Sequence, residues 1–293
     1  MITHRLPVPC VPERVVLLGA HGFIGKAIQA GLQEAGIATL AVTSGEVDLT
    51  SPASVAQISG MLKPTDAVVM LSALTPDKGR DIATLMKNLA MMQHLCAALE
   101  QTGCAHLVYF SSDAVYDNAV ARVTEAVPAS PQDLYGTMHR TREIMAAGIK
   151  VPLLVLRPTL VYGTDDTHNA YGPNRFRRMA QKDGKITLFG GGEEMRDHVH
   201  VDDVATLTVR CLAHQSTGIL NVATGVSTPF REVAGLVARQ FGRPVEIVET
   251  TRANPITYRH YDVTDLLKAF PDIRFIPLAD GIARCHQESA GAI

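Results

Sequence analysis

The sequence predicts an α/β protein built on a doubly wound parallel sheet, with a small mixed α/β lobe toward the C-terminus. Over the first half of the chain, short apolar runs alternate with longer stretches of helical periodicity, and each apolar run is continuous. Continuous apolar strands between helices are typical of a parallel sheet that is covered on both faces. Because right-handed crossovers join parallel strands, the helices then divide between the two faces.

The first half of the chain supplies five strands and four helices in alternation. Apolar runs bounded by turn residues predict the strands, and the spacing of apolar residues predicts the helices. The predicted strands cover residues 14–19, 37–43, 66–73, 106–112 and 152–158, and the predicted helices cover 23–36, 51–62, 81–102 and 131–148.

The alternation of apolar runs with helical stretches ends after residue 163, where the sequence becomes polar and rich in loop-forming residues. The second half then predicts short strands at 186–190 and 218–224 and helices at 202–214 and 229–241. We therefore predict a domain over residues 1–163, to which 196–224 returns, and a small lobe over 164–293.

Composition excludes several classes of protein. The chain has 293 residues, a net charge of −2, 46% hydrophobic and 19% charged residues, and its basic residues are dispersed. Nucleic-acid binding by a basic patch is therefore not expected. No apolar run approaches the ~20 residues of a membrane span, and no signal peptide is recognised. The five scattered cysteines, without a CxxC pair, indicate a reducing cytoplasm and no disulfide framework.

A glycine triplet follows the first predicted strand, in the stretch GAHGFIG. Gly19 permits a tight turn, Gly22 lets the backbone approach a pyrophosphate, and Gly25 lets the helix pack on the strand. The start of the helix offers free N–H groups to phosphates, so Phe23 and Ile24 are included among the predicted contacts. A plain strand–helix turn is the alternative, but the order strand, triplet, helix favours a Rossmann-like dinucleotide site.

The stretch LYGTMHRT suggests hydride chemistry on a hydroxyl or carbonyl group. Tyr135 can exchange a proton with a carbinol oxygen if a nearby cation lowers the pKa of its phenol, which is ordinarily near 10. His139 lies one helical turn later, on the same face of the helix. Ser112, at the end of the fourth predicted strand, can hold the reacting oxygen.

These motifs resemble the extended short-chain dehydrogenase/reductase family, in its NAD-dependent epimerase/dehydratase group that acts on nucleotide sugars. The glycine spacing G-x-x-G-x-x-G, the segment FSSDAVY and Tyr135 carry the resemblance. It implies an enzyme with NAD or NADP as cofactor, Ser112, Tyr135 and His139 as catalytic residues, and a homodimer. His139 stands where the family has a lysine that holds the nicotinamide ribose and supplies a permanent charge. Three interpretations stay open: a working replacement with altered pH dependence, poor turnover, or retention of the cofactor for its own sake.

The same resemblance assigns further cofactor contacts around the sheet. Asp48 and Leu49 match the pair that contacts adenine, although the aspartate is also suited to capping the next helix. The remaining matches are Ser72 and Ala73 after the third strand, Asn88 on the long helix, and Pro158 after the fifth strand. Neither an acid nor an arginine stands directly at the end of the second strand, so NAD versus NADP is left open.

Substrate contacts follow from the same comparison. Arg196 matches an arginine that holds a nucleotide diphosphate, and a guanidinium suits such a group because it can bind it through two hydrogen bonds. The other predicted substrate residues are Asp113, Thr159, Asn174, Arg175 and Arg259. The pair His198 and His200 lacks further ligands at suitable spacing, so no metal site is predicted.

The reaction type is narrowed but not decided. Ala114 replaces the glutamate that 4,6-dehydratases of the family carry, which argues against dehydration. A nucleotide-sugar epimerase is the leading interpretation, and a 4-keto-deoxysugar-nucleotide reductase is the first alternative. A non-catalytic NAD(P)-binding sensor or scaffold is the second, because of His139.

Overall fold

The computed structural model describes residues 2–166, 168–253 and 255–290. Its strands are β1 (Thr3–His4), β2 (Val15–Leu18), β3 (Thr39–Val42), β4 (Ala67–Met70), β5 (His106–Phe110), β6 (Arg122–Val123), β7 (Leu153–Pro158), β8 (Leu160–Tyr162), β9 (Lys185–Phe189), β10 (Met195–His200), β11 (Ser216–Val222), β12 (Ser227–Pro229), β13 (Glu246–Thr250) and β14 (His260–Tyr261).

The helices connect these strands. They are α1 (Phe23–Glu34), α2 (Ser54–Met61), α3 (Ile82–Thr102), α4 (Leu134–Ala147), α5 (Pro173–Asp183), α6 (Val201–Ala213), α7 (Phe230–Ala238), α8 (Thr264–Ala269) and α9 (Leu278–Ala290), and one 3-10 turn covers Asp113–Val115. No helix in these described ranges combines the length and apolar character that a bilayer crossing requires.

A seven-stranded sheet forms the centre of the fold. Its strands lie in the order β1-β11-β7-β5-β4-β2-β3, and all neighbours are parallel except β1, which pairs antiparallel with β11. β2, β4 and β5 are buried along their whole length, which explains their uninterrupted apolar sequences. The predicted Rossmann-like, doubly wound sheet is confirmed.

Two apolar layers cover this sheet. Val15 and Leu17 of β2 enter the layer under α1 and α6, whereas Val16 and Leu18 enter the layer under α2, α3 and α4. Successive residues of a strand point to opposite faces, so one apolar run supplies both cores.

The direction of winding reverses at β2. The chain passes from β2 to β3 on one side and then crosses to β4 on the other side. Ligands of open parallel sheets bind beyond the carboxyl ends of the strands at such a reversal. Gly19 follows β2 and Ser72 lies just beyond β4, so two predicted cofactor segments meet there.

The C-terminal half divides its elements between the main sheet and smaller sheets. β11 pairs with β7 in the main sheet, and α6 packs on α1. β10 instead pairs with β8 and β12, and β13 pairs with β9. A separate apolar core beside these strands includes Tyr162, Phe176 and Phe230.

The polar segment after residue 163 contains a helix that its sequence pattern did not predict. α5 begins after Gly172 with Pro173 as its first residue, and it ends at Gly184, whose φ is +67°. Phe176 and Ala180, four residues apart, are buried on one face, while charged residues occupy the opposite face. The apolar residues of this segment recur at helical spacing, but the segment as a whole is highly charged, which explains why a loop was expected.

The short strand β1 was also not predicted. Its residues Thr3 and His4 pair with Thr217 and Ser216 at the edge of β11. The His4 ring hydrogen-bonds the Ser216 hydroxyl at 2.8 Å and the Ala269 carbonyl at 3.0 Å. The N-terminal segment therefore covers one edge of the central sheet.

Candidate active site

The turn between β2 and α1 depends on its glycines. Gly19 has a φ of +97°, and a Cβ added to Gly25 would lie 2.3 Å from the Gly19 carbonyl oxygen. A side chain at either Gly19 or Gly25 would therefore force the backbone to move. α1 begins after Gly22 with no side-chain cap and no acidic residue in its first turn. The turn therefore presents bare N–H groups and the positive end of a helix dipole.

Phe23 and Ile24 occupy the first turn of α1. The Phe23 ring is buried, and a Cβ added to Gly163 would lie 3.0 Å from its ring carbons. Ile24 packs partly buried against the layer under α6. Their side chains hold the helix in place, so their main-chain N–H groups are what they offer to a phosphate.

The segment after β4 lies beside this turn. The Ser72 amide donates to the Leu18 carbonyl at 3.1 Å, and a Cβ added to Gly19 would touch it at 3.0 Å. Buried Asn88 accepts from the Leu74 amide at 2.8 Å and donates to the Leu74 carbonyl at 3.0 Å. Asn88 thus holds in place the loop that contains Ser72 and Ala73.

Asp48 caps a turn beyond β3. Its carboxylate accepts from the Thr50 amide at 2.9 Å and from the Thr50 hydroxyl at 2.7 Å, which lowers the pKa of Asp48. The Leu49 side chain is buried, and its carbonyl accepts from His94 Nδ1 at 2.8 Å. Asp48 therefore stabilises this turn, whereas the next helix, α2, begins after Ala53 without a side-chain cap.

Glu46 is an acidic residue at the tip of β3 that the sequence analysis passed over. Its carboxylate accepts from the amide and the hydroxyl of Thr43, both at 2.9 Å. Thr43 directly follows β3, so a bend over three residues returns the acid to the strand end. A carboxylate in this position suits the ribose hydroxyls of NAD.

Tyr135 lies in the first turn of α4, pressed against the segment after β5. The Asp133 carboxylate accepts from the Gly136 amide at 2.7 Å and so fixes the helix start. A Cβ added to Gly136 would lie 2.1 Å from the Ala114 carbonyl oxygen. Because Gly136 has no side chain, α4 can approach the 3-10 turn that Ser112 caps with its hydroxyl.

The environment of Tyr135 keeps its phenol protonated. Burial raises the pKa of Tyr135 to about 12, and the Asp113 carboxylate acts in the same direction. A hydrogen bond with Ser112 and the positive charge of Arg142 act against the increase. Ser112 and Tyr135, which lie 23 positions apart in the sequence, are therefore neighbours close enough for the Ser112 hydroxyl to affect the pKa of the phenol.

His139 lies directly behind Tyr135. The two rings meet edge to face with centroids 4.6 Å apart, and His139 Nδ1 is 2.7 Å from the Tyr109 hydroxyl. Burial and the charge of Arg142 hold the pKa of His139 well below its ordinary value. His139 is consequently a neutral imidazole, and Nε2 is buried without a hydrogen-bond partner among the described residues.

A buried ionic network fixes α4 to the sheet, and the sequence analysis did not identify it. Glu143 accepts two hydrogen bonds from Arg157 of β7, at 2.8 and 2.7 Å, and one from Ser111 at 2.6 Å. Arg157 also donates to the Tyr116 hydroxyl at 2.9 Å. Glu143 lies four residues after His139, so a count along the helix face could have found it.

Asp113, Arg259 and Arg196 are brought together near Ser112. Asp113 accepts from the Tyr261 hydroxyl at 2.7 Å and faces Arg259 at 3.4 Å. Arg259 also donates to the Asp117 carbonyl at 3.1 Å, so contacts within the fold already use several of the N–H donors of its guanidinium group. Burial and the neighbouring Arg259 lower the pKa of Arg196. Two guanidinium groups therefore lie close together in this region.

The remaining predicted residues lie on two other segments. Pro158 ends β7, and the Thr159 hydroxyl donates to the Asp197 carbonyl at 3.1 Å. Asn174 and Arg175 lie on α5, where they contact the Asp166 carboxylate and the Tyr171 ring. Their contacts are thus within the smaller lobe.

The two histidines of β10 have separate environments. His200 Nδ1 accepts from the Asp202 amide at 3.2 Å and caps α6. His198 is buried beside Phe230, and neither of its ring nitrogens has a recorded partner. Across the described residues, no three histidine, cysteine or acidic side chains form a cluster that could hold a metal ion.

One edge of the main sheet therefore gathers the glycine turn, the Ser72 loop and the Ser112–Tyr135 pair. A sequence profile of the NAD dependent epimerase/dehydratase family matches residues 15–223, which include all three. The chain belongs to that family, and the family expected from the sequence is confirmed.

Relatives of known name agree with this assignment. GDP-L-fucose synthase from Escherichia coli is 24% identical over 87% of this chain and 89% of its own length. The structure of UDP-glucose 4-epimerase from Thermus thermophilus, a complex with NAD, is 24% identical with a TM-score of 0.81, covering 96% of this chain and 100% of that one. The structure of RMD from Pseudomonas aeruginosa, complexed with NADPH, is 24% identical with a TM-score of 0.84, and it covers 96% of this chain and 100% of that one. These structural likenesses show a shared fold.

Proposed function

We propose that this chain transfers hydride between NAD(P) and a carbinol or ketone carbon of a nucleotide sugar. The observation that carries the proposal is the proximity of Ser112 and Tyr135 beyond β5, on the sheet edge that also bears the bare glycine turn. When bound, the nicotinamide donates or accepts the hydride. Tyr135 exchanges the proton of the reacting oxygen, and Ser112 holds that oxygen in place.

The residues around the glycine turn fit a dinucleotide. Gly19 and Gly25 leave no room for side chains, and the start of α1 is uncapped, as a pyrophosphate site requires. The Glu46 carboxylate at the tip of β3 supports NAD over NADP, since it would repel the additional phosphate. His139 Nε2, buried without a recorded partner, is suited to donate to a ribose hydroxyl when Nδ1 accepts from Tyr109.

The nucleotide sugar is proposed to lie between Ser112 and the lobe formed by residues 164–293. Asp113, Arg196 and Arg259 support this assignment because they converge beside Ser112. Two neighbouring guanidinium groups favour a ligand that carries two negative charges, such as a diphosphate.

Two reaction types share this chemistry. An epimerase oxidises the sugar and reduces the resulting ketone from the other face, so Tyr135 first accepts a proton and then returns it. A reductase needs only the second step, in which a protonated phenol donates to the oxygen that receives the hydride. The raised pKa of Tyr135 favours the reductase as a second candidate, because the phenol is ready to donate.

The test begins with the cofactor carried by the purified full chain. Two results would support the epimerase. One portion of the protein would release nicotinamide on denaturation, and a native portion would epimerise UDP-glucose without added cofactor. Stoichiometric consumption of NADH with a 4-keto-6-deoxysugar nucleotide would support the reductase. Binding of NAD(H) without turnover across a panel of sugar nucleotides would refute the proposed activity and leave a non-catalytic cofactor-binding protein.

We further propose that the protein is a cytoplasmic homodimer in which α3 and α4 pair across a twofold axis. Exposed apolar side chains on both helices support this: Ile82 and Met86 on α3, and Ile144 on α4. Sedimentation velocity should report a dimer that Ile144→Asp dissociates. Ile256→Asp, at another exposed apolar residue, is the matched control. A wild-type monomer at all concentrations would contradict the proposal.

A further inference from the structure

Arg142 is a buried cation on the same face of α4 as the proposed catalytic tyrosine. It follows Tyr135 by seven residues and His139 by three, and residues at these intervals share one helix face. Its side chain has no solvent exposure. Burying a charge is costly unless it is compensated, so an arginine in this position needs a physical reason.

The recorded contacts of Arg142 are with neutral groups. Its guanidinium donates to the Ser72 carbonyl at 2.9 Å and to Met138 Sδ at 3.8 Å, and it lies over the Tyr109 ring at 5.2 Å. Its Nε has no hydrogen-bond partner within residues 2–166, 168–253 and 255–290. Among the described carboxylates, none forms an ion pair with Arg142, and the adjacent Glu143 is already bound to Arg157.

A continuous series of contacts joins this charge to the phenol of Tyr135. Arg142 lies on the Tyr109 ring, the Tyr109 hydroxyl is 2.7 Å from His139 Nδ1, and the His139 ring meets the Tyr135 ring at 4.6 Å. On its other side, Arg142 holds the carbonyl of Ser72, in the loop beside the glycine turn. One guanidinium therefore connects the proposed proton-transfer residue with the proposed cofactor segment.

We propose that Arg142 supplies the permanent positive charge that assists proton transfer at Tyr135, while His139 acts as a neutral hydrogen-bonding group. The proposal rests on the proposed hydride-transfer function. It assigns to two residues the two tasks that one lysine would perform. Arg142 is a positioning residue, because it acts on Tyr135 through its field and on the cofactor segment through Ser72.

The other charged groups around Tyr135 make such a cation necessary. Asp113 lies on the neighbouring 3-10 turn and Asp133 caps the helix, and both carboxylates raise the pKa of Tyr135. Neutral His139 and protonated Tyr109 add no charge to offset them. A guanidinium stays charged over the whole working range, so its effect does not vanish at alkaline pH as that of an imidazolium would.

The test measures ionisation at position 135 directly. Fluorotyrosine, whose phenol is more acidic than that of tyrosine, is placed at position 135 of the full chain, and its fluorine resonance is followed against pH. We expect Arg142→Gln to raise the pKa by about one unit, a tenfold fall in the ionisation constant. Arg142→Lys should restore most of this change, and His139→Gln should leave the pKa within about 0.3 units of wild type.

A rise of a full unit in His139→Gln, or no change in Arg142→Gln, would overturn the proposal. Circular dichroism checks that each variant is folded, and if Arg142→Gln does not fold, the His139→Gln result alone decides. Calorimetric binding of NAD and NADP is measured in parallel on wild type. If neither binds, the proposed function fails, whereas the titration still reports whether Arg142 controls the phenol.

Discussion

Replacing Tyr135 by phenylalanine removes one oxygen atom and keeps the ring that packs against His139. Because the proposed chemistry needs that oxygen for proton exchange, turnover of an accepted sugar nucleotide should fall about 10²–10⁴-fold. Affinity for NAD, measured by calorimetry, should change little. Tyr258→Phe, at an exposed tyrosine, is the matched control and should leave turnover unchanged. A Tyr135→Phe variant with wild-type turnover would remove this residue from the mechanism.

The sequence allowed some site residues to be predicted and concealed others. Ser112 and Tyr135 could be proposed from the sequence because their spacing and their strand and helix settings are local features. Glu46 was missed because the bend that returns it to Thr43 is a matter of three-dimensional contact. Arg142 was missed because its burial beside Ser72 depends on a residue 70 positions away. The neutrality of His139 likewise follows from packing, which the sequence pattern does not contain.

At the scale of elements, the glycine turn predicts a steric effect on cofactor binding. An alanine at position 25 would bring its Cβ to 2.3 Å from the Gly19 carbonyl, so α1 must shift away from β2. We expect Gly25→Ala to weaken NAD binding at least about tenfold, because the phosphate site depends on this close packing. Gly60→Ala, in α2 with open space around it, is the matched control. Equal affinities of the two variants for NAD would contradict the assigned phosphate site.

The network beneath α4 predicts a large stability effect. Glu143→Gln would leave Arg157 buried without its counter-charge, and breaking a buried pair in this way costs about 3–5 kcal/mol. Urea unfolding monitored by circular dichroism measures the free energy of unfolding. Arg122→Gln breaks an ion pair in which the arginine is 77% exposed, so its cost should stay below about 1 kcal/mol. Similar losses in both variants would show that the buried network does not anchor α4.

Most elements of the main sheet were predictable because a continuous apolar run or a helical periodicity is bounded by turn signals in each of them. The helix α5 and the strand β1 were not predicted, for different reasons. α5 buries few apolar residues, and β1 has two residues whose pairing is with a strand more than 200 positions away. Strands that pair over such distances carry little local signal when they are short.

At the scale of the whole molecule, buried histidines predict a loss of stability in mild acid. Burial lowers the pKa of His106 to about 4 and of His198 to about 3, and His139 is lowered as well. Histidine in the unfolded chain titrates near 6.5, so below this pH the unfolded state binds more protons and stability falls. Burial raises the pKa of Asp197 and Asp203 to about 6, and these two groups act in the opposite direction.

The three histidines outweigh the two carboxyl groups between pH 6 and 5, and the lowered pKa of buried His200 and the raised pKa of buried Glu125 oppose each other. We expect the free energy of unfolding to fall by about 1–2 kcal/mol over that unit. Urea titrations at pH 7, 6 and 5 measure how steeply the free energy of unfolding depends on pH. His198→Gln should reduce it, whereas His260→Gln, at an exposed histidine, should leave it unchanged. A stability that rises on acidification would show that the carboxyl groups dominate.

The antiparallel pairing of β1 with β11 sets an order of events during synthesis. His4 and its partner Ser216 are 212 residues apart, and a ribosome adds about 5–20 residues per second. The strand β1 therefore waits about 10–40 seconds for its partner strand to be made. The main-sheet strands β2, β3, β4, β5 and β7 can assemble in that interval. The strand β1 is thus translated before every other strand of the main sheet and is among the last to be incorporated into it.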